Sequence, residues 1–588
     1  MPAKATTDSL KGLLDSATVE HAPVSEDDAK VDGLSVTLLP HQIEGLRFLL
    51  RQEAKEVKNK GGLLCDDMGL GKTIQSISLI LSRPQDVAEH TSANACKATL
   101  VVAPLSLIAQ WKAEINQKAA GLRVLVHHGS SRTKDENKFK AYDVVVTTYQ
   151  VLSSEYQSSG PLFKLDWWRV ILDEAHTIKN KTAKASVAAF NVHSVSRWAL
   201  TGTPLQNNID ELHSLFLFLQ IPPLCDSAFW KTKISGPIAI GRGKIAMKRL
   251  QVVLSQVFLR RTKAVLGETG ISLPKRNIHR TSVQLTPEER AFYTDLEKKV
   301  SEKMEVFMDG GAGKYMSVLL LLLRLRQACD HTGIVAAKLG GRASLPSTPK
   351  KAPKGRKSTE VDDLADVFEA LAVDATNCYI CQTELARDRA QLGDSLCEAC
   401  DARFKDKGTT PSAPSSKIKH ILRLLQAEPG RKTIIFSQFT TMLDMIEPFM
   451  VGAGLKYARY DGSMKPLHRN KSLEALKTDP DVAVLLCSLK CGALGLNLVC
   501  ASRVVLVDPW WNPMVSEQAI DRVHRIGQTR DVDVYEITVE NSVEERIVTL
   551  QDKKRELAKS VLDERGGTLA GNKLSRDEIL FLFNRDDM

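Results

Sequence analysis

The 588-residue sequence has no apolar run long enough to cross a bilayer. Its most conspicuous one, VLLLLL at 318–323, stops at Arg324, far short of the roughly 20 residues a spanning helix needs. Met1–Lys30 has neither the basic start nor the apolar middle of a secretory leader. The protein is therefore expected to be neither secreted nor membrane-spanning. Charge of one sign is not in large excess. The 80 Lys and Arg against 70 Asp and Glu leave +10, a mild pull toward polyanions and no more. No short-period repeat is visible, which argues against a solenoid. Cysteine is not dense enough for a disulfide scaffold. Of the 11 cysteines, seven are scattered, which suits reduced thiols in a reducing compartment.

What the chain has is length and alternation. A chain of this size exceeds one compact core, so two or more domains are expected. Short β-branched runs alternate with amphipathic stretches twice. The first series holds GGLLC (61–65), ATLVVA (98–103), RVLVH (123–127), DVVVT (143–147), RVILD (169–173) and RWALT (197–201). The second holds KTIIFS (432–437), KYARY (456–460), AVLLCS (483–488), SRVVLVD (502–508) and VDVYEIT (532–538). Continuously apolar runs of this length read as strands buried on both faces, hence parallel sheets covered by helices. The fold class expected is α/β, with two parallel-sheet lobes. The expected organisation is a polar tail (1–33), a first lobe (34–265), a helical insertion (266–339) and a basic linker rich in Pro, Gly, Ser and Lys (340–376). A four-cysteine module (377–405), a short linker (406–416), a second lobe (417–550) and a helical C-terminal extension (551–588) follow.

Residues 66–73, DDMGLGKT, lie between a strand and a helix, the context of a phosphate-binding loop. The usual first glycine is replaced by Asp66, and Asp67 follows it. Glycines let backbone N–H groups approach an anion at a helix N-terminus. Lys72 is then expected to reach the outer phosphates of ATP and Thr73 to hold Mg²⁺. The carboxylates of Asp66 and Asp67 are expected to point away from the γ-phosphate, toward loop amides or the other lobe. VILDEAH (170–176) supplies Asp173 at a strand end for the metal and Glu174 to orient or deprotonate water. In QAIDRVHRIGQTR (518–530), Arg522 and Arg525 are three residues apart on one face of a helix or its end. From a separate lobe they reach the γ-phosphate only on closure, which is arginine-finger geometry.

Ten stretches in order resemble the Swi/Snf family of DNA-translocating ATPases: LLPHQIEGL (38–46), DDMGLGKT (66–73), LVVAPLSLIAQW (100–111), DEAH (173–176), LTGTPLQNNIDEL (200–212), IIFSQFTTMLDMIE (434–447), YDGSM (460–464), LLCSLKCGALGLNL (485–498), DPWWNP (508–513) and DRVHRIGQ (521–528). The resemblance implies two RecA-like lobes closing on ATP, with double-stranded DNA as the track. It implies that Gln42 bonds adenine and that Asp66, Asp67, Met68, Gly69, Leu70, Gly71, Lys72 and Thr73 form the nucleotide loop. In the family the first loop position is an aspartate, so DDMGLGKT is its regular form. Lys72, Asp173, Glu174, Arg522 and Arg525 take the catalytic roles, and Gln518 begins the arginine motif. Hydroxyls at strand ends (Ser106, Thr147, Thr148, Thr201, Ser488) are candidates for gripping DNA phosphates. WWNP (510–513) reads as packing in the second lobe rather than a base-stacking platform.

Cys378, Cys381, Cys397 and Cys400 make C-x₂-C-x₁₅-C-x₂-C, the spacing of a closed structural zinc site. Its position between the lobes resembles the subfamily of helicase-like transcription factor and its DNA-repair relatives, which carry a RING ubiquitin-ligase module there. A RING needs eight ligands, whereas no histidine lies between Asn377 and Lys417. A reduced, single-zinc module is expected, with a DNA-anchored ubiquitin ligase as the alternative function. The resemblance and PKKAPKGRK (349–357) together point to chromatin remodelling or DNA repair in the nucleus.

Overall fold

In the computed structural model the six runs of the first apolar series become β1 (Lys60–Leu64), β2 (Ala95–Ala103), β3 (Val124–Val126), β4 (Val144–Thr148), β5 (Asp166–Asp173) and β6 (Ser194–Leu200), and a strand in none of those runs, β7 (Phe258–Leu259), makes the sheet seven-stranded. The described residues are 29–86, 90–130, 132–202, 209–239, 243–263, 273–308, 312–335, 398, 413–492, 496–510 and 513–552. The strand order is β3-β4-β2-β5-β6-β1-β7, and every pairing is parallel. Parallel neighbours need crossovers, and the helices that make them cover both faces. Alternate residues therefore feed two cores. Leu100, Val102, Val170 and Leu172 pack on one side. Val101, Val144, Val146 and Ile171 pack on the other, with Trp111 and Trp198.

The second sheet runs β10-β11-β9-β12-β13-β8, again all parallel. Its strands are β8 (Arg276–Val283), β9 (Thr433–Ser437), β10 (Tyr457–Tyr460), β11 (Val484–Ser488), β12 (Arg503–Leu506) and β13 (Val532–Val539). Ile434, Leu485 and Val504 face one core, while Ile435, Val484, Leu486 and Val505 face the other.

One expectation needs correction. Residues 276–283, assigned above to a helical insertion, are strand β8, paired with β13 over its whole length. RNIHRTSV has no apolar run because β8 is an edge strand with half of its residues exposed and only Val283 buried. Arg280 pairs with Asp552 and Glu536, and His279 with Asp533, so charge lines this edge and opposes pairing with another chain. The second lobe is therefore assembled from both sides of the insertion. Helices Pro287–Met308 and Ala312–Asp330 do follow β8. The linker of 340–376, the cysteine module and the extension beyond Asp552 lie outside the described residues, apart from position 398. Among the described residues no helix is long and apolar enough to cross a membrane.

Trp510 does pack in the second core, where it is 7% exposed, with the Arg326 guanidinium 5.2 Å from its ring.

Candidate active site

The sheet register brings two sequence motifs to the same edge. Leu64, the last residue of β1, and Asp173, the last of β5, both pair with Leu200 of β6, which lies between them. The loop after β1 and the Asp-Glu after β5 thus emerge side by side at the carboxyl ends of parallel strands, where open α/β sheets bind ligands.

The loop turns into helix Lys72–Ser82 through Gly69 and Gly71, at φ +93° and +88°. A Cβ on Gly71 would stand 2.5 Å from Gln42 Nε2, and one on Gly69 would stand 2.9 Å from Arg525 Cβ. Both glycines are needed for conformation and for close approach. Gly71 caps the helix without a side-chain hydrogen bond, so no side chain competes for its first N–H groups. Lys72 Nζ donates to Asp66 O at 2.6 Å and to Asp67 O at 3.3 Å. Met68 and Leu70 are buried, and Thr73 lies in the helix's first turn. Gln42 Nε2 donates to Leu70 O at 3.3 Å, and its Oε1 accepts from Leu39 N. The side chain is thus held against the phosphate loop.

The Asp66 carboxylate is fully buried and turned away from the loop. Its Oδ1 accepts from Arg261 N (3.1 Å) and Nε (3.0 Å), and its Oδ2 from Arg261 Nη2 (2.5 Å) and Gln75 Nε2 (3.2 Å). Asp67 Oδ2 accepts from Lys263 N at 3.2 Å. Neither carboxylate bonds a loop amide, which had been one expectation. Both hold the strap that follows β7, whose residues Arg261 and Lys263 no local pattern marks as site residues.

Asp173 is held at three points. Trp111 Nε1 donates to its Oδ2 at 2.8 Å, Tyr149 Oη to its carbonyl at 2.8 Å, and Glu174 N to its Oδ1 at 3.0 Å. Burial, then the neighbouring Glu174, pushes the Asp173 carboxyl up to about 6. Burial pushes Glu174 the same way, but His176, Arg522 and Lys72 together outweigh it and hold Glu174 below its usual range. Glu174 occupies the left-handed region at φ +49°, uncommon for a side chain that gains nothing from it locally. Thr177 Oγ1 donates to its carbonyl at 2.8 Å.

Arg522 arrives from the second lobe. Its Nη2 lies 3.2 Å from Glu174 Oε1, with both side chains buried. Arg525 backs onto Gly69, and burial followed by Arg522 lowers its guanidinium below its ordinary range. Both arginines sit in the turn after helix Pro513–Ile520 rather than on the helix itself; the half-buried Gln518 is within it.

The hydroxyls proposed to grip DNA are mostly committed inward. Thr147 Oγ1 donates to His127 O, Thr148 caps helix Tyr149–Ser158, and Thr201 meets His176 Nδ1 at 3.3 Å. Ser488 Oγ accepts from Cys491 N at 3.4 Å. The Ser106 hydroxyl has no hydrogen-bond partner among the described residues. The zinc candidates Cys378, Cys381, Cys397 and Cys400 lie outside the described residues.

The site therefore combines an uncapped glycine turn, a lysine resting on carbonyl oxygens, an Asp-Glu pair and an arginine from the opposite lobe. That donor set fits a phosphate chain with a divalent cation: amide and ammonium donors for the oxygens, a carboxylate and a hydroxyl for the metal.

Comparison with known proteins gives the same picture. Residues 41–334 match the SNF2-related domain, and residues 416–527 the helicase conserved C-terminal domain. An uncharacterized ATP-dependent helicase of Schizosaccharomyces pombe is 32% identical over 94% of this chain and 63% of its own length. The helicase-like transcription factor CHR28 of Arabidopsis thaliana is 30% identical over 95% of this chain and 78% of its own. The DNA repair protein RAD5B of Arabidopsis thaliana is 34% identical over 86% of this chain and 46% of its own. The chain thus spans between about half and four-fifths of these relatives.

Proposed function

The chain belongs to the SNF2 family of helicase-like ATPases, and from that premise we propose that it is an ATP-driven translocase on double-stranded DNA, working in chromatin remodelling or DNA repair. The observation that carries this reading is Arg522 of one lobe against Glu174 of the other, beside the phosphate loop. A site completed only when two lobes meet ties each ATP cycle to their opening and closing, which is what a stepping motor needs. In the reading, Lys72 and the loop amides take the outer phosphates, Glu174 orients the attacking water, and Arg522 and Arg525 stabilise charge developing on the transferred group. Bound Mg²⁺, held by Thr73 and Asp173, would neutralise phosphate oxygens. Gln42, held against the loop by Leu39 N and Leu70 O, would meet the adenine.

The test is steady-state ATPase with and without duplex DNA. Turnover should rise with DNA and fall with salt, because backbone contacts release counterions. Lys72→Ala and Glu174→Gln should each abolish it. Full turnover without DNA would overturn the translocase reading.

The reading extends to a structural zinc at Cys378, Cys381, Cys397 and Cys400, supported by their spacing, and to action in the nucleus, supported by the names of the relatives. Metal analysis should find one zinc per chain, lost in the Cys378→Ser, Cys381→Ser double variant. Two zincs per chain would restore the case for a full RING.

A further inference from the structure

The two carboxylates that open the phosphate loop lead out of it. Asp67 N donates to Arg261 O at 2.9 Å and Asp67 Oδ2 accepts from Lys263 N at 3.2 Å. Lys263 is thereby pinned where the chain leaves the first lobe. Its ammonium reaches across the cleft, where Nζ donates to Asp521 Oδ1 at 2.6 Å and to His524 O at 2.9 Å. Asp521 directly precedes Arg522, and His524 directly precedes Arg525. The far end of the strap holds the same turn and the helix that leads into it. His524 Nε2 lies 2.8 Å from Pro274 O, and Arg276 Nη1 donates to Glu517 Oε2 at 2.8 Å. Both ends of the inter-lobe strap therefore grip the segment that carries the arginines.

We propose that Lys263 is a positioning residue for ATP turnover, which ties the phosphate loop to the arginine turn of the opposite lobe through Asp67 on one side and Asp521 with the His524 carbonyl on the other. The inference rests on the ATPase reading and adds to it a route of coupling. The side chains of Lys263 and Asp521 are 21% and 20% exposed, so their contact is partly shielded from solvent. Two charge-assisted bonds from one ammonium also set direction as well as attraction. Asp67 takes part at two atoms. Its main-chain oxygen lies under the Lys72 ammonium, and its carboxylate holds Lys263. A phosphate that draws Lys72 off the Asp66 and Asp67 oxygens changes the seat of the residue that anchors the strap. Lys263 then carries that change to Arg522 and Arg525 through the backbone on either side of each. The Lys263 side chain is partly exposed, so Lys263→Met buries no uncompensated charge deep in a lobe, and the melting temperature separates a positioning role from a structural one.

The experiment uses the full chain with ATP and duplex DNA. It compares wild type, Lys263→Met, Lys263→Arg, Asp521→Asn and the Lys263→Met, Asp521→Asn double variant. Lys263→Met should lower kcat about tenfold or more, leave KM for ATP within about twofold, and leave the melting temperature unchanged, because misplacing a catalytic group acts on kcat. Lys263→Arg, which keeps the donor, should recover most of the rate. The double variant should be no slower than Lys263→Met, since both substitutions break one link. Independent multiplication of the two losses would overturn the inference. So would a loss confined to KM, or a Lys263→Met rate within twofold of an active wild type. A wild type without ATPase activity would instead defeat the functional reading on which the inference stands.

Discussion

Arg522 Nη2 donates to Glu174 Oε1 at 3.2 Å, although 348 residues separate the two in sequence. The pair makes Glu174 serve both lobes: its other oxygen lies 3.4 Å from His176 Nδ1. Arg522→Ala should lower kcat by at least about 100-fold and change nucleotide affinity only severalfold, because a finger acts on charge that develops during transfer. ATPase kinetics beside equilibrium binding of a fluorescent ATP analogue separates the two effects. A pure loss of affinity would mean that Arg522 only binds substrate.

Trp111 is the least expected member of the site. It is 1% exposed, packs in a core of the first lobe, and donates its indole N–H to Asp173 Oδ2 at 2.8 Å. Trp111→Phe keeps most of the apolar bulk and removes the donor. Outer partners of metal ligands typically matter by about 10-fold or more. The Mg²⁺ concentration for half-maximal ATPase should rise by about that factor, with a small fall in melting temperature. An unchanged Mg²⁺ titration would leave Trp111 a packing residue only.

Lys417 stabilises the second lobe from inside. Its ammonium is fully buried and donates to Asp330 Oδ1 (2.8 Å), Glu544 Oε1 (2.7 Å) and Val507 O (2.8 Å). Burial works against its charge, but Asp330 and Glu544 outweigh it and raise Lys417 above its ordinary range. Burial raises both carboxyls as well, since one cation cannot fully balance two buried anions with Asp508 nearby. The lysine is charged, because its ammonium has three good acceptors, two of them carboxylates. Lys417→Met should cost about 3–5 kcal/mol, the price of stranding a buried charge. Chemical denaturation measures it. Adding Asp330→Leu and Glu544→Leu should recover part of the loss.

His213 predicts sensitivity to acid. Its ring stacks on Trp230 at 4.8 Å, and neither ring nitrogen has a hydrogen-bond partner among the described residues. Burial, reinforced by Lys181 and only partly opposed by Asp210 and Asp226, lowers its pKa to about 4. The unfolded chain takes up this proton near pH 6.5, well before the folded one does. Stability is therefore complete above about pH 6.5 and is lost as pH falls toward about 4. His213→Phe should keep or raise the melting temperature at pH 7 and shrink its fall between pH 7 and 5. An identical pH profile for variant and wild type would exclude His213 as a cause.

Most of the eleven strands expected from apolar runs were legible because a strand buried on both faces needs no partner to announce itself; β3 and β10, at sheet edges and less buried, were legible from their β-branched and aromatic residues. Each appears within three residues of its run, with β2, β5 and β6 beginning three residues earlier. β8 was hidden for the converse reason: RNIHRTSV sits at an edge, half in water, and its pairing with β13 joins segments some 250 residues apart. At the site, Lys72, Asp173 and Glu174 were readable from spacing, since loop and strand-end chemistry is local. Trp111, Arg261, Lys263 and Asp521 were not, because nothing near them in sequence names their partners.

The sequence by itself determined two parallel-sheet lobes and the groups able to handle a phosphate chain. Strand burial and glycine turns are written in consecutive residues, and no tertiary contact is needed to read them. Only the tertiary structure decided where the acidic pair of DDMGLGKT points. Asp66 faces the strap beyond β7 because Arg261, nearly 200 residues away, supplies the donors that a buried carboxylate requires, and Asp67 follows it there through Lys263 N. The meeting of Arg522 with Glu174 was decided in the same way, by how two separately folded lobes dock.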